Sequence, residues 1–145
     1  MAMERLNLYV DGCSIGNPGH SGIGVVLEAP SGDVLWELGE YIGKTTNNVA
    51  EYRALLRGLS EALQLGVTAV SVFTDSELLV KQLRGEYRVR APHLKPLYSD
   101  AVRMLARFRP GQVRHVRREQ NARADKLAEK AARSRRRVRP DSDDV

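Results

Sequence analysis

"TTNNVAEYRAL", residues 45–55, enters a helix and places a carboxylate on the side that the helix should bury. Steps of three, four, seven, eight and eleven residues from Glu51 reach Ala54, Leu55, Gly58, Leu59 and Ala62. That set is the apolar stripe of an amphipathic helix. The stripe ends at Gly66, a residue suited to a helix C-terminus. It carries no Lys or Arg to neutralise Glu51, which comes just after two adjacent asparagines, Asn47 and Asn48.

Outward from this helix, the pattern changes to period two. In "RLNLYVDG", Leu6, Leu8 and Val10 alternate with Asn7, Tyr9 and Asp11, as along a half-buried strand. "SGIGVVLEAP" and "DVLWELGEYI" read as a hairpin around Pro30, Ser31 and Gly32. "TAVSVFTD" is a fourth strand, followed by a helix from about 76 to 84 that stops at Gly85. Pro92 is placed to open a further helix to about Phe108, since proline suits a first turn. "GQVRHVR" makes a fifth strand, and the last helix covers about 120 to 133. The order is βββαβααβα. After Arg133, "SRRRVRPDSDDV" has no apolar period, so the reading is a folded domain over 1–133 and a disordered tail over 134–145.

At 145 residues the chain fits one domain with a core of its own. A single cysteine, Cys13, excludes an internal disulfide and a cysteine-rich zinc site, and the reducing cytoplasm is the expected location. The N-terminal residues are too sparsely apolar for a signal peptide or a membrane span. A net charge of +5 points to a polyanionic partner.

Three more carboxylates stand in places like that of Glu51. Asp11 ends the first strand and Asp75 the fourth, where open α/β sheets set their sites. Each also fits a turn, and Asp75 fits an N-cap before "SELLVKQL". Asp125 has Ala122, Ala128 and Ala132 as helical neighbours. Clustered without partners, such groups repel: two unit charges about 4 Å apart cost about 4 kcal/mol at an effective dielectric of about 20. A divalent cation relieves this, and an all-oxygen donor set favours Mg²⁺ or Mn²⁺ over zinc. Carboxylates holding two such ions are a common device for cutting phosphodiesters.

On "YVDGCSIGNPG", "TTNNVAEYRAL", "FTDSELLV" and "NARADKLA", in that order over residues 4 to 133, the chain resembles the type I ribonuclease H family. The resemblance implies a five-stranded mixed sheet, order 3-2-1-4-5, with helices on both faces. It implies that Asp11, Glu51, Asp75 and Asp125 bind two Mg²⁺ or Mn²⁺ ions. The implied reaction hydrolyses the RNA strand of an RNA/DNA hybrid, leaving 5′-phosphate and 3′-hydroxyl ends. A monomer is expected, and duplex RNA stays open as a second substrate.

Sparing DNA requires sensing the 2′-hydroxyl, a donor and an acceptor at once, and primary amides offer both functions. Asn17, Asn47 and Asn48 match family positions that contact the sugar edges, with turn chemistry or N-capping as the alternative. Thr46 matches a residue that helps hold a DNA-strand phosphate, and Asn121 belongs to the same substrate-binding set. Gly12, Gly16 and Gly19 let backbone approach substrate closely. "GKT" at 43–45 is no phosphate loop, because Leu38 stands where that motif requires glycine.

The chain departs from the family pattern in three places. Glu77 replaces a frequent glutamine. The basic protrusion is reduced to Arg84, Arg88, Arg90 and Lys95. No histidine stands in the loop before Asp125; Arg118 is there instead, able to hold a phosphate oxygen but not to act as a base. His115 is expected to be half-buried in the fifth strand, and Trp36 and Phe73 to be core. The tail arginines, Arg133, Arg135, Arg136, Arg137 and Arg139, suit sequence-independent phosphate attraction. Two other classes compete: a hybrid-binding module without catalysis, and a DNA-junction or transposon-end nuclease on the same fold. An acidic cluster would only weaken a pure binder, and the asparagines would have no hydroxyl to read on DNA.

Overall fold

The computed structural model describes residues 4–138. The elements run β1 (Arg5–Ile15), β2 (Gly19–Glu28), β3 (Val34–Thr45), α1 (Asn47–Gln64), β4 (Ala69–Thr74), α2 (Glu77–Leu83), α3 (Lys95–Leu105), β5 (Gly111–His115), a 3-10 turn (Arg118–Asn121) and α4 (Ala122–Ser134). They form the five-stranded mixed sheet β3-β2-β1-β4-β5, the expected order. β2 runs antiparallel to its neighbours β1 and β3, whereas β4 pairs parallel with β1 and β5 parallel with β4.

Period two sorts β2 between two cores. Ile23, Val25 and Leu27 join Leu8, Tyr52, Leu55 and Leu59 in the main core beneath α1. Val26 faces the other way, against Ala124, Leu127 and Ala131 of α4. α4 lies very close to the sheet: a Cβ on Gly39 would fall 2.6 Å from the Leu127 carbonyl, and one on Gly22 2.7 Å from the Ala132 nitrogen. Helix alanines against strand glycines permit that approach, and this second layer is thin as a result.

Three features differ from the sequence reading. α3 starts at Lys95 with Pro96 in its first turn, not at Pro92; residues 92–94 make a separate turn. β5 is an edge strand of five residues with His115 exposed, not half-buried. Trp36 and Phe73 are half-buried: Trp36 packs on the main core and takes Arg57 over its ring, and Phe73 stacks on Tyr9 at 4.9 Å between centroids.

The chain beyond Arg133 also keeps structure for a few residues. α4 continues to Ser134, and Arg135 closes it in a left-handed conformation, φ 56°. Val138 then pairs with Gly39 of the edge strand β3, through two backbone hydrogen bonds of 2.7 Å, and is only 1% exposed. Arg137 adds an ion pair to Glu40 at 2.6 Å. Arg137 and Val138 therefore tie the chain beyond the helix to the sheet, and the rest of the expected tail, including Arg139, lies outside the described residues. Val138→Asp should lower the unfolding free energy by about 2 kcal/mol and Tm by roughly 6 °C. Thermal melts check this; an unchanged Tm would mean that the Val138 contact contributes nothing.

Candidate active site

β1 is longer than its parallel neighbour, and this length makes the site. The ladder pairs Tyr9 with Phe73; β4 ends one residue later at Thr74. Continuing the same register sets Asp75 beside Asp11, just where the sheet opens. Ser76, not Asp75, caps α2, its hydroxyl accepting from the Leu79 N–H at 3.1 Å. Asp75 is thereby left free to face the cleft.

Glu51 comes to the same point from α1. A Cβ on Gly12 would lie 2.5 Å from the Glu51 nitrogen, so glycine is what lets the helix approach the strand. The Gly12 N–H donates to Glu51 Oε1 at 2.6 Å. Gly12 is largely buried, bonds Glu51 and also lines the cleft, where the sequence reading places it near substrate. The predicted stripe is otherwise observed: Ala54, Leu55, Gly58, Leu59 and Ala62 are all buried with Glu51.

Carboxylate oxygens of Asp11, Glu51 and Asp75 lie within 4.8 Å of one another. Asp11 is 4% and Glu51 7% exposed. Burial pushes the Asp11 carboxyl far above its ordinary range, and Glu51 and Asp75 push it further. Glu51 is raised as well, by burial first, against the opposing help of the Gly12 N–H. Groups so reluctant to ionise together fit a cation: three hard oxygen donors converge with no protein cation inside the trio.

Asp125 borders the same cleft but stands outside that group of three. Its Oδ2 is 3.6 Å from Arg118 Nε. Arg118, whose side chain is largely exposed, is the one cation among the described residues lining the cleft. The 3-10 turn at 118–121 is what brings it there. The cleft holds about 510 Å³, and Gly12, Cys13, Ser14, Asn47, Asn48, Ser76, Glu77 and Leu78 complete its lining. Cys13 was legible by period two from Asp11; Ser76 carried no signal apart from its helix-cap position.

The amide set divides. Asn47 and Asn48 are exposed at the cleft. Neither caps α1, because Thr46 does so, its hydroxyl accepting from Val49 N–H at 3.3 Å. Exposed Asn17 accepts from the Asn47 N–H through Oδ1 at 3.0 Å, which leaves its own amide N–H free to face outward. Asn121 is different: it is 1% exposed and its Nδ2 donates to the Val10 carbonyl at 2.9 Å. It ties the entrance of α4 to β1 beside Asp11. Gly16 turns the β1–β2 loop at φ 83°. Arg84 donates to the Val113 carbonyl at 3.0 Å, while Arg88, Arg90 and Lys95 are exposed. Exposed Tyr87 sits beneath Lys81, whose Nζ is 4.9 Å from the ring centre. Arg133 is engaged by Glu129 at 3.0 Å. His20 bonds Tyr41 at 2.7 Å, and His93 is exposed.

Comparison with known proteins agrees with this geometry. A family model described as reverse transcriptase-like matches residues 9–131. The bifunctional protein Rv2228c of Mycobacterium tuberculosis is 45% identical over 128 residues, covering 88% of this chain and 35% of that protein. The ribonuclease HI of Halobacterium salinarum is 39% identical over 127 residues, covering 88% of this chain and 64% of that protein. The chain thus spans between about a third and two thirds of these relatives' length. The crystal structure of RNase H1 from Halobacterium salinarum superposes with a TM-score of 0.86 at 38% identity, covering 90% of this chain and 98% of that one. LC11-RNase H1, solved in complex with an RNA/DNA hybrid, gives 0.84 at 41% identity, with 90% and 98% covered. In fold and in sequence, the chain belongs to the ribonuclease H family.

Proposed function

We propose that this protein hydrolyses the RNA strand of RNA/DNA hybrids, using two Mg²⁺ or Mn²⁺ ions and leaving 5′-phosphate and 3′-hydroxyl ends. The convergence of Asp11, Glu51 and Asp75 at an open strand end carries the reading. These three would hold the ions, with Asp125 at the border of the cleft. When bound, such cations supply an activated water and stabilise the leaving oxygen. The residues of the chain do the rest. The Gly12 N–H fixes the rotamer of Glu51. Asn121 holds β1 against α4, so that Asp11 and Asp125 keep their spacing. Asn17, Asn47 and Asn48 are placed to read 2′-hydroxyls along one edge of the cleft, and Thr46 to sit near a phosphate of the DNA strand.

Arg118 replaces the absent loop histidine. Its ion pair with Asp125 holds it at the cleft, and Asp125 also raises the guanidinium further above its ordinary value. It stays charged and serves as a phosphate clamp at the transition state. Arg118→Ala should lower turnover at least about tenfold, or about 1.4 kcal/mol of barrier, with hybrid affinity nearly unchanged. Steady-state kinetics separate the two; weaker binding with full turnover would make Arg118 an ordinary phosphate contact.

Hybrid recognition, not general duplex recognition, is the role that amides facing the cleft support. Hybrid, duplex DNA and duplex RNA, each labelled and supplied with Mg²⁺ or Mn²⁺, test this directly. Cleavage confined to hybrid, with duplex RNA a weaker second substrate at most, is expected. Cleavage of duplex DNA would favour a junction or transposon-end nuclease, and binding without cleavage a recognition module. Among the described residues, no helix is long and apolar enough to cross a membrane. A cytoplasmic monomer remains the reading of the composition.

A further inference from the structure

Two serines, Ser14 in the wall of the cleft and Ser21 behind it, are tied to both segments that carry the reader amides. Ser14 on β1 and Ser21 on β2 face each other across the antiparallel ladder, their hydroxyls 3.0 Å apart. Ser21 is fully buried. Ser14 Oγ reaches the Gly16 carbonyl at 2.6 Å and the Thr45 carbonyl at 3.0 Å. Ser21 Oγ reaches the Gly19 carbonyl at 2.8 Å and the same Thr45 carbonyl at 3.2 Å. Gly16 and Gly19 flank Asn17 in the loop; Thr45 directly precedes Thr46, Asn47 and Asn48.

Each hydroxyl has one proton to give. Two protons are therefore shared among three carbonyls and the two oxygens themselves, and the loop and the helix entrance are joined at a single point. The backbone here needs such a tie. The β2–β3 ladder is irregular just after Ser21: Ser21 pairs with Gly43 and Gly22 with Tyr41, so Ile42 has no partner. Bulges of this kind bend a strand and re-aim the residues beyond them, here the segment leading to Asn47. Gly43 takes φ 86° to allow it. Above the serines, the Asn47 N–H bond to Asn17 Oδ1 closes the same two segments a second time.

We infer that Ser21, together with Ser14, is a positioning residue for substrate recognition: the hydroxyl pair sets the spacing between Asn17 and the Asn47–Asn48 edge, and so the discrimination for 2′-hydroxyls. This rests on the hybrid reading above. The hydroxyls bond to each other and to the Gly16, Gly19 and Thr45 carbonyls, and among the described residues neither bonds a carboxylate of the cleft, so the chemical step is left alone. Recognition by two separate amide groups tolerates little play, since a site held loosely by about 1 Å loses its specificity.

The test compares wild type, Ser21→Ala, Ser14→Ala and Ser14→Thr on two hybrids. One has an all-ribose RNA strand; the other has 2′-deoxy nucleotides flanking the cut position. In wild type the deoxy strand should raise KM. Ser21→Ala should raise KM on the all-ribose hybrid about tenfold, with turnover within about twofold. Its deoxy penalty should shrink, because misplaced amides no longer read the hydroxyl. Ser14→Thr keeps a hydroxyl at a half-buried position and should behave as wild type. If Ser21→Ala does not fold, Ser14→Ala, at the more accessible position, must show the same two effects. A wild-type KM and an undiminished deoxy penalty in the folded alanine variants, alongside normal cleavage by wild type, would overturn the positioning role. Failure of wild type to cleave hybrid would overturn the hybrid reading itself, and this inference with it.

Discussion

Asp11→Asn is expected to lower hybrid cleavage by at least about a thousandfold, equivalent to about 4 kcal/mol of barrier. An amide keeps the shape of the side chain but takes away the charge that would hold a cation between β1 and α1. Hybrid binding should be unchanged or tighter, since one negative charge is removed near the phosphates. Stability should respond in the opposite direction to activity. Burial and the adjacent Glu51 and Asp75 raise the folded-state pKa of Asp11 above the ordinary 3.8. A carboxyl raised in this way binds its proton more tightly in the folded state, so the metal-free wild type loses stability as pH rises above that ordinary value. Asn carries no such penalty. Melting temperatures without metal should therefore be similar near pH 4, and the variant should be the more stable by pH 8. Adding Mn²⁺ should raise Tm of the wild type and leave Asp11→Asn unmoved. Substantial cleavage by the variant would remove Asp11 from the site.

Gly12→Ala should show the second large effect. Its added methyl would meet the α1 backbone, 2.5 Å from the Glu51 nitrogen. A rigid main-chain neighbour cannot swing away as a flexible side chain can, so helix and strand must separate. Overpacking of this kind costs about 3 kcal/mol. The separation also lengthens the bond from the Gly12 N–H that holds Glu51. A misplacement of about 1 Å at a reacting centre can cost roughly a hundredfold in turnover, and that is the expected loss. Assays well below the variant's melting temperature separate it from unfolding. A folded Gly12→Ala with wild-type turnover would show that the close approach of α1 is not what positions Glu51.

The parts of this protein that could be read from its sequence are those in which a residue breaks a period. Glu51 interrupts a helical stripe, and Asp11 and Asp75 end alternating strands; each anomaly survives in the structure as a buried or cleft-facing carboxylate. The strand order came from family resemblance, not from periodicity, which says nothing of who pairs with whom. What escaped was decided by three-dimensional partners. Pro92 and Pro96 both suit a first turn, and only packing selects the second. "SRRRV", residues 134–138, lacks apolar periodicity because one residue, Val138, is buried there, and one buried side chain makes no pattern. The burial of Asn121 follows from the approach of α4 to β1. Arg118 and Asp125 stand seven residues apart, and the 3-10 turn between them makes their ion pair. Ser14 and Ser21 carry no signal in the sequence, and only the β1–β2 register sets them face to face.

The inward carboxylates, on this reading, exist to hold divalent cations for cutting the RNA strand of a hybrid. A hybrid labelled differently on its two strands, incubated with the protein and Mg²⁺ or Mn²⁺ and again with excess chelator, tests it most directly. Fragments of the RNA strand alone are expected, ending in 5′-phosphate and 3′-hydroxyl, and none once the metal is chelated. Cleavage that persists in chelator, or that falls on the DNA strand, would contradict it.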